Sequence, residues 1–98
     1  MSIKLKNADL NLRKVIVAIY NWNSRDSIAY YSHIEDETNL KRSEIAKHIK
    51  VLKTLGYITT TYGIDDEGKF GGRGFWLEDH CWAEVSTLQD LMEERGEL

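Results

Sequence analysis

In the stretch Leu40-Lys41-Arg42-Ser43-Glu44-Ile45-Ala46-Lys47-His48-Ile49-Lys50-Val51-Leu52-Lys53-Thr54-Leu55-Gly56, the residues Ile45, Ile49 and Leu52, flanked by Leu55, recur at the spacing of an amphipathic helix. At about 100° per residue, Ser43, Lys47, Lys50 and Thr54 fall opposite that apolar stripe. Gly56 supplies the left-handed residue that ends a helix. The run Tyr57 to Tyr62, β-branched and aromatic, then predicts a strand. Lys41, Arg42, Lys47, Lys50 and Lys53 fall within thirteen residues beside the single acid Glu44, so this helix is the main source of positive field in the chain.

Reading downstream, Gly74-Phe75-Trp76-Leu77-Glu78 can pair with the first strand across the Gly-rich segment from Gly63 to Arg73. That segment is too long for a two-residue turn, which predicts a hairpin with an extended tip. From His80 onward, Trp82, Val85, Leu88, Leu91 and Met92 mark a last amphipathic helix, with Glu84, Asp90, Glu93 and Glu94 on its wet side. Upstream, Ser32-His33-Ile34-Glu35 matches a capping box, so a short helix is expected to begin there and to end near Thr38-Asn39. Ile28-Ala29-Tyr30 predicts a short strand. Leu12, Val15, Ile16, Ile19 and Trp22 predict a helix from Asp9 to Trp22, ended by turn and cap residues between Asn21 and Asp26.

Length and composition bound what this arrangement can be. A chain of 98 residues with 42% apolar residues supports one core and one domain over 1–98, with 9–79 as its body and 80–98 as a C-terminal helix. Cys81 is the only cysteine, which rules out an intramolecular disulfide or a multi-cysteine zinc site within one chain and fits a reducing cytoplasm. Met1 to Lys6 alternates apolar with polar residues, unlike a signal peptide, and no later stretch is apolar for long enough to span a bilayer. A soluble, cytoplasmic protein is expected. The net charge of −3 is unevenly spread: residues 1–56 carry ten Lys/Arg against six Asp/Glu, and residues 57–98 carry three against ten.

The order helix, strand, helix, basic helix, β-hairpin, helix resembles the winged helix-turn-helix DNA-binding proteins, especially the small MarR-like and ArsR-like transcriptional regulators. The likeness covers roughly residues 10–80, and its most specific part is Ile34, Asn39-Leu40, the Ile45/Ile49/Leu52 series and Leu52-Lys53-Thr54-Leu55-Gly56-Tyr57-Ile58. The pairing of Asp65/Asp66 with Arg73-Gly74-Phe75-Trp76-Leu77 is similar to the wing of those families. Two positions depart from the pattern: Glu35 stands where Ala is preferred, and Lys41 where a Ser or Thr cap is usual. The resemblance implies an α+β, mostly α, winged helix-turn-helix fold. It also implies a regulator that binds double-stranded DNA, placing Lys41, Arg42, Ser43, Lys47, Lys50 and Lys53 in or beside the major groove, with Lys69 and Arg73 in the wing. The acidic tip Asp65-Asp66-Glu67 would repel phosphates unless it points away from them.

Other features have ordinary explanations. Gly63, Gly68, Gly71, Gly72 and Gly74 match no phosphate-binding loop, because neither the lysine-hydroxyl pair nor the strand-to-helix context is there. His33, His48 and Asp79-His80-Cys81 match no zinc spacing, so neither metal nor cofactor is expected. Cys81 reads as a core residue beside Trp82, and no constellation of an enzyme is present. Tyr57, Tyr62, Phe75, Trp76 and Trp82 read as core. The stripe Trp82, Val85, Leu88, Leu91, Met92 has little core left to cover in so small a chain, which predicts a homodimer through the last helix. The competing expectation is a protein-interaction module of the same fold that docks a partner protein and binds no DNA.

Overall fold

The computed structural model describes residues 5–64 and 70–98. Leu12, Val15, Ile16, Val17, Ala18 and Ile19 are all buried along one helix, α1 (Leu10–Asn23). A helix apolar on nearly every side must be covered on every side. It contacts α2 (Tyr31–Thr38), α3 (Arg42–Thr54), α4 (Trp82–Glu94) and a three-stranded antiparallel sheet. The strands are β1 (Ala29–Tyr30), β2 (Ile58–Ile64) and β3 (Phe70–Leu77), in the order β1-β3-β2. This is an α+β architecture dominated by helix. Among the described residues no helix is long and apolar enough to cross a membrane.

Local chemistry sets most boundaries. α2 ends where Asn39 takes a left-handed conformation, φ 59°, and α3 ends before Gly56, whose φ of 82° favours glycine. Ile34, Ile45 and Leu52 are fully buried between these helices and α1. The expected capping box of Ser32 and Glu35 does not form. The N-cap is Tyr30, two residues earlier, and the helix begins at Tyr31, so Ser32 lies inside the first turn; the Tyr30 amide donates to His33 Nδ1 at 3.3 Å, and Glu35 pairs instead with Arg42. His33 also stacks on Trp22, 3.8 Å between ring centroids.

Register in the hairpin sorts its side chains. Ile58 faces Leu77, Thr60 faces Phe75 and Tyr62 faces Arg73, so these six share one face of the sheet, turned to the helices. Along that face the environment passes from core to solvent: Ile58, Leu77 and Phe75 are buried, and Tyr62 is 63% exposed. Tyr62 is therefore not the core residue its aromatic character predicts. On the other face Gly74 lies beneath Ile28 and Tyr30, and a Cβ there would run into the Ile28 side chain. The sequence places the returning strand from Gly74, but it begins at Phe70. Lys69 and the acidic tip lie outside the described residues.

Where β1 ends, α1 takes over its pairing role. Asn23, buried at 2% exposure, accepts from the Leu77 amide at 2.6 Å and donates to the carbonyls of Phe75 (3.2 Å) and Ser27 (3.0 Å). One side-chain amide thus completes the ladder along β3 beyond Ala29. Replacing Asn23 with Ala strands a buried N–H and a buried carbonyl, each costing about 1–3 kcal/mol. Asn23→Ala should lower the denaturant midpoint with little change in m; an unchanged midpoint would mean that water replaces the amide.

α4 does not await a partner to bury its stripe. Val85, Leu88 and Met92 are buried in the chain's own core against α1 and the 3-10 turn Leu5–Asn7, while Leu91 and Trp82 are half-buried. The inference that the stripe needs a second copy fails for those three residues. A buried Arg13 on α1 donates to the Ala8 carbonyl and pairs with Glu97, and that hydrogen bond holds the Glu97 carboxyl below its ordinary pKa.

Tyr57, just before β2, donates to Glu84 of α4 at 2.9 Å. Partial burial, then this hydrogen bond and the Glu84 charge, push the phenol up to about 12. The folded chain thus holds this proton more tightly than the unfolded one. The contribution is complete below the ordinary tyrosine pKa of about 10 and is lost as pH rises through about 12. Tyrosinate absorbance should show a late ionisation step that Tyr57→Phe removes.

Candidate nucleic-acid interface

The sheet divides the cations of α3: Lys50 and Lys53, with Ala46 and Ile49, line the cleft against β2 and β3, whereas Ser43 and Lys47 do not. Lys41, at the N-cap, makes no side-chain cap bond. Lys41, Arg42, Ser43, Lys47, Lys50 and Lys53 are all exposed. Sequence alone groups Lys47 with Lys50 on one face; the structure separates them.

Lys50 and Lys53 share a cleft with Arg73 of β3. It has a volume of about 340 Å³ and lies between α3 and the hairpin, with Tyr31, Thr60 and Phe75 on its wall. Among the described residues no carboxylate is within ion-pair distance of Lys47, Lys50, Lys53 or Arg73. Lys50 and Lys53 of α3 and Arg73, the one described cation of the hairpin, thus open into the same cleft.

Tyr31, which sequence reasoning did not single out, organises this side. Its hydroxyl accepts from Arg73 Nη2 at 3.0 Å, and the guanidinium carbons of Arg73 and Arg42 lie 5.6 and 4.9 Å from its ring centroid. Arg42 Nε also donates to Glu35 Oε1 at 3.0 Å. With Arg42 65% and Glu35 38% exposed, such a pair adds at most about 1 kcal/mol to stability, so its consequence is orientation. Two arginines 31 residues apart in the chain are held against one ring. The only signal in the sequence was the Tyr30-Tyr31 pair at a helix start, and it does not reveal which arginines will reach the ring.

The remaining candidates do not converge. Cys81 is buried, its thiol 3.8 Å from the Gly56 carbonyl, and burial together with the Glu84 and Glu78 charges pushes its pKa up, which disfavours the nucleophilic thiolate. Among the described residues no three His, Cys, Asp or Glu side chains are grouped to hold a metal ion. The chain matches no family model, no curated protein and no solved structure.

Proposed function

We propose that this chain is a winged helix-turn-helix protein that binds double-stranded DNA in a sequence-specific way and regulates transcription, working in the cytoplasm without a cofactor and not as an enzyme. The observation that carries the reading is that Lys50 and Lys53 of α3 share a cleft with Arg73 of the hairpin while Arg42 and Arg73 share the Tyr31 ring, with Glu35 the only acid paired to any of them among the described residues. The element order and the β1-β3-β2 sheet are compatible with a winged helix. In this reading α3 enters the major groove by its N-terminal turn and the hairpin lies along the adjacent backbone or minor groove. The partner in assembly is a second copy of the chain. Because Val85, Leu88 and Met92 serve the chain's own core, contact through α4 falls to Leu91, Trp82 and the groove beside Ala83 and Thr87.

Binding to duplex DNA of random sequence, followed by anisotropy over a salt series, tests the reading, since counterion release makes affinity fall steeply with salt. Lys47 and Lys50 are point charges suited to phosphate. Changing either to Ala should weaken binding on every sequence and lower the log–log salt slope by about 0.9 per lost contact; an unchanged slope in both would remove them from the backbone. The exposed acids Glu84, Asp90, Glu93 and Glu94 of α4 favour a second reading, a protein-interaction adaptor of the same fold. Absence of DNA binding at low salt selects the adaptor.

A further inference from the structure

The outer face of the hairpin carries a groove that neither the core nor α3 uses. Thr59 faces Trp76 there, on the opposite side of the sheet from Thr60 and Phe75. The groove has a volume of about 560 Å³, and Trp76, Trp82, Asp26, Glu78 and Asp79 are among the residues that line it. Asp26 and Asp79 are exposed, and Glu78 and both indoles are half-buried, so rings and carboxylates are all within reach of solvent. Trp82 is steadied by Tyr20, 5.3 Å between ring centroids. Asp26 comes from the turn after α1, and Glu78-Asp79 from the end of β3. Among the described residues no Lys, Arg or His lines the groove or lies within ion-pair distance of these acids. Arg25, the neighbour of Asp26, is turned instead to the Trp22 ring, 5.3 Å from its centroid.

Carboxylates brought together repel one another, so their grouping does nothing for the stability of the free chain. Beside two indoles they offer one chemistry: a planar cation that stacks on an aromatic ring and donates in a fork to a carboxylate. Arginine does both, whereas lysine is a point charge without the fork. We infer that the groove docks an arginine-bearing segment of a partner protein, its guanidinium laid against Trp76 or Trp82 and paired with Asp26 or Glu78. The volume suits a few side chains of such a segment. Charge complementarity selects this occupant, since most of the lining belongs to residues 57–98, where ten Asp/Glu stand against three Lys/Arg. Because the groove and the α3 cleft use opposite faces of the hairpin, the inference does not rest on DNA binding.

The test uses the full chain and two short synthetic peptides, one alternating arginine with glycine and one alternating lysine with glycine. Binding is followed by NMR on the indole N–H signals of the three tryptophans. The arginine peptide should shift Trp76 and Trp82 and leave Trp22, whose Nε1 is buried, in place. The lysine peptide should bind more weakly, having neither fork nor planar stack. The double variant Asp26→Asn, Glu78→Gln should keep a cooperative thermal transition, since asparagine tolerates the left-handed φ of 58° at position 26. It should bind the arginine peptide about tenfold or more weakly. Absence of indole shifts, or equal affinity of wild type and double variant, overturns the site. Equal binding of the two peptides overturns the arginine assignment and leaves only a diffuse acidic surface. Shifts at Trp76 and Trp82 that appear on concentrating the chain without peptide give the groove to a second copy and overturn the partner segment. Should the double variant lose its thermal transition, Asp79→Asn, at an exposed position, takes its place with the same expected direction and the same overturning result.

Discussion

Removal of residues 80–98 is expected to leave a chain with no cooperative thermal transition. α4 places Val85, Leu88 and Met92 in the core at 0–3% exposure, and Cys81 beside them at 3%. Losing any one such apolar side chain to Ala costs about 2–5 kcal/mol, and a whole domain is held by about 5–15 kcal/mol. Removing several together, and uncovering α1 along its length, exceeds the total. Arg13 would also lose Glu97 while remaining beside the Ala8 carbonyl in a partly stripped core. Met92→Ala provides the graded version: it should stay folded with a midpoint lowered by about that single-residue cost. Circular dichroism on heating decides between this outcome and the alternative of a folded monomer. A cooperative transition in the truncated chain would mean that α4 is only an accessory to the core.

How much of this was readable beforehand follows from the range of each interaction. α3 and α4 announce themselves because burial on one side of a helix imposes a local period: Ile45, Ile49 and Leu52 are buried as their spacing requires, and Gly56 has the positive φ expected after them. The capping box misled because Ser32-x-x-Glu35 satisfies a local pattern, whereas Glu35 is claimed by Arg42 seven residues on and the Tyr30 amide by His33. Asn23 looked like a turn residue, but it closes the last turn of α1. Its amide nevertheless serves Phe75 and Leu77, 52 and 54 residues away, a role set by where β1 stops. Tyr31 belongs to the same class. It acquires its meaning only when the hairpin folds back over α3, bringing Arg73 to a ring 42 residues earlier in the chain. The charge of the candidate interface was legible from composition along the chain; its division into cations that line the cleft and cations that do not was not, since the position of the sheet decides it.

Arg42→Lys should separate sequence reading from simple affinity, provided that α3 occupies the major groove. Arg42 opens the first turn of α3, where a groove-bound helix comes nearest the base edges, and among the residues of α3 only Arg42 carries the planar fork that pairs with O6 and N7 of guanine. Its Nε is already engaged by Glu35 and one face of its guanidinium lies on Tyr31, so both terminal nitrogens remain for the base while the plane is restrained. Lysine keeps the charge and loses fork and stacking together. Affinity for the preferred site should fall by about 1–3 kcal/mol, roughly five- to 150-fold, with little change on scrambled DNA at the same salt. Tyr31→Leu should reproduce much of that loss with Arg42 intact, because it removes the ring that also holds Arg73. If the assembly is a two-fold dimer, the selected site should be a pseudo-palindrome with half-sites about one helical turn apart. The deciding comparison is Arg42→Lys on the selected and the scrambled duplex. Equal losses on the two would assign Arg42 to the phosphate backbone and make the Tyr31 ring a support for non-specific contact.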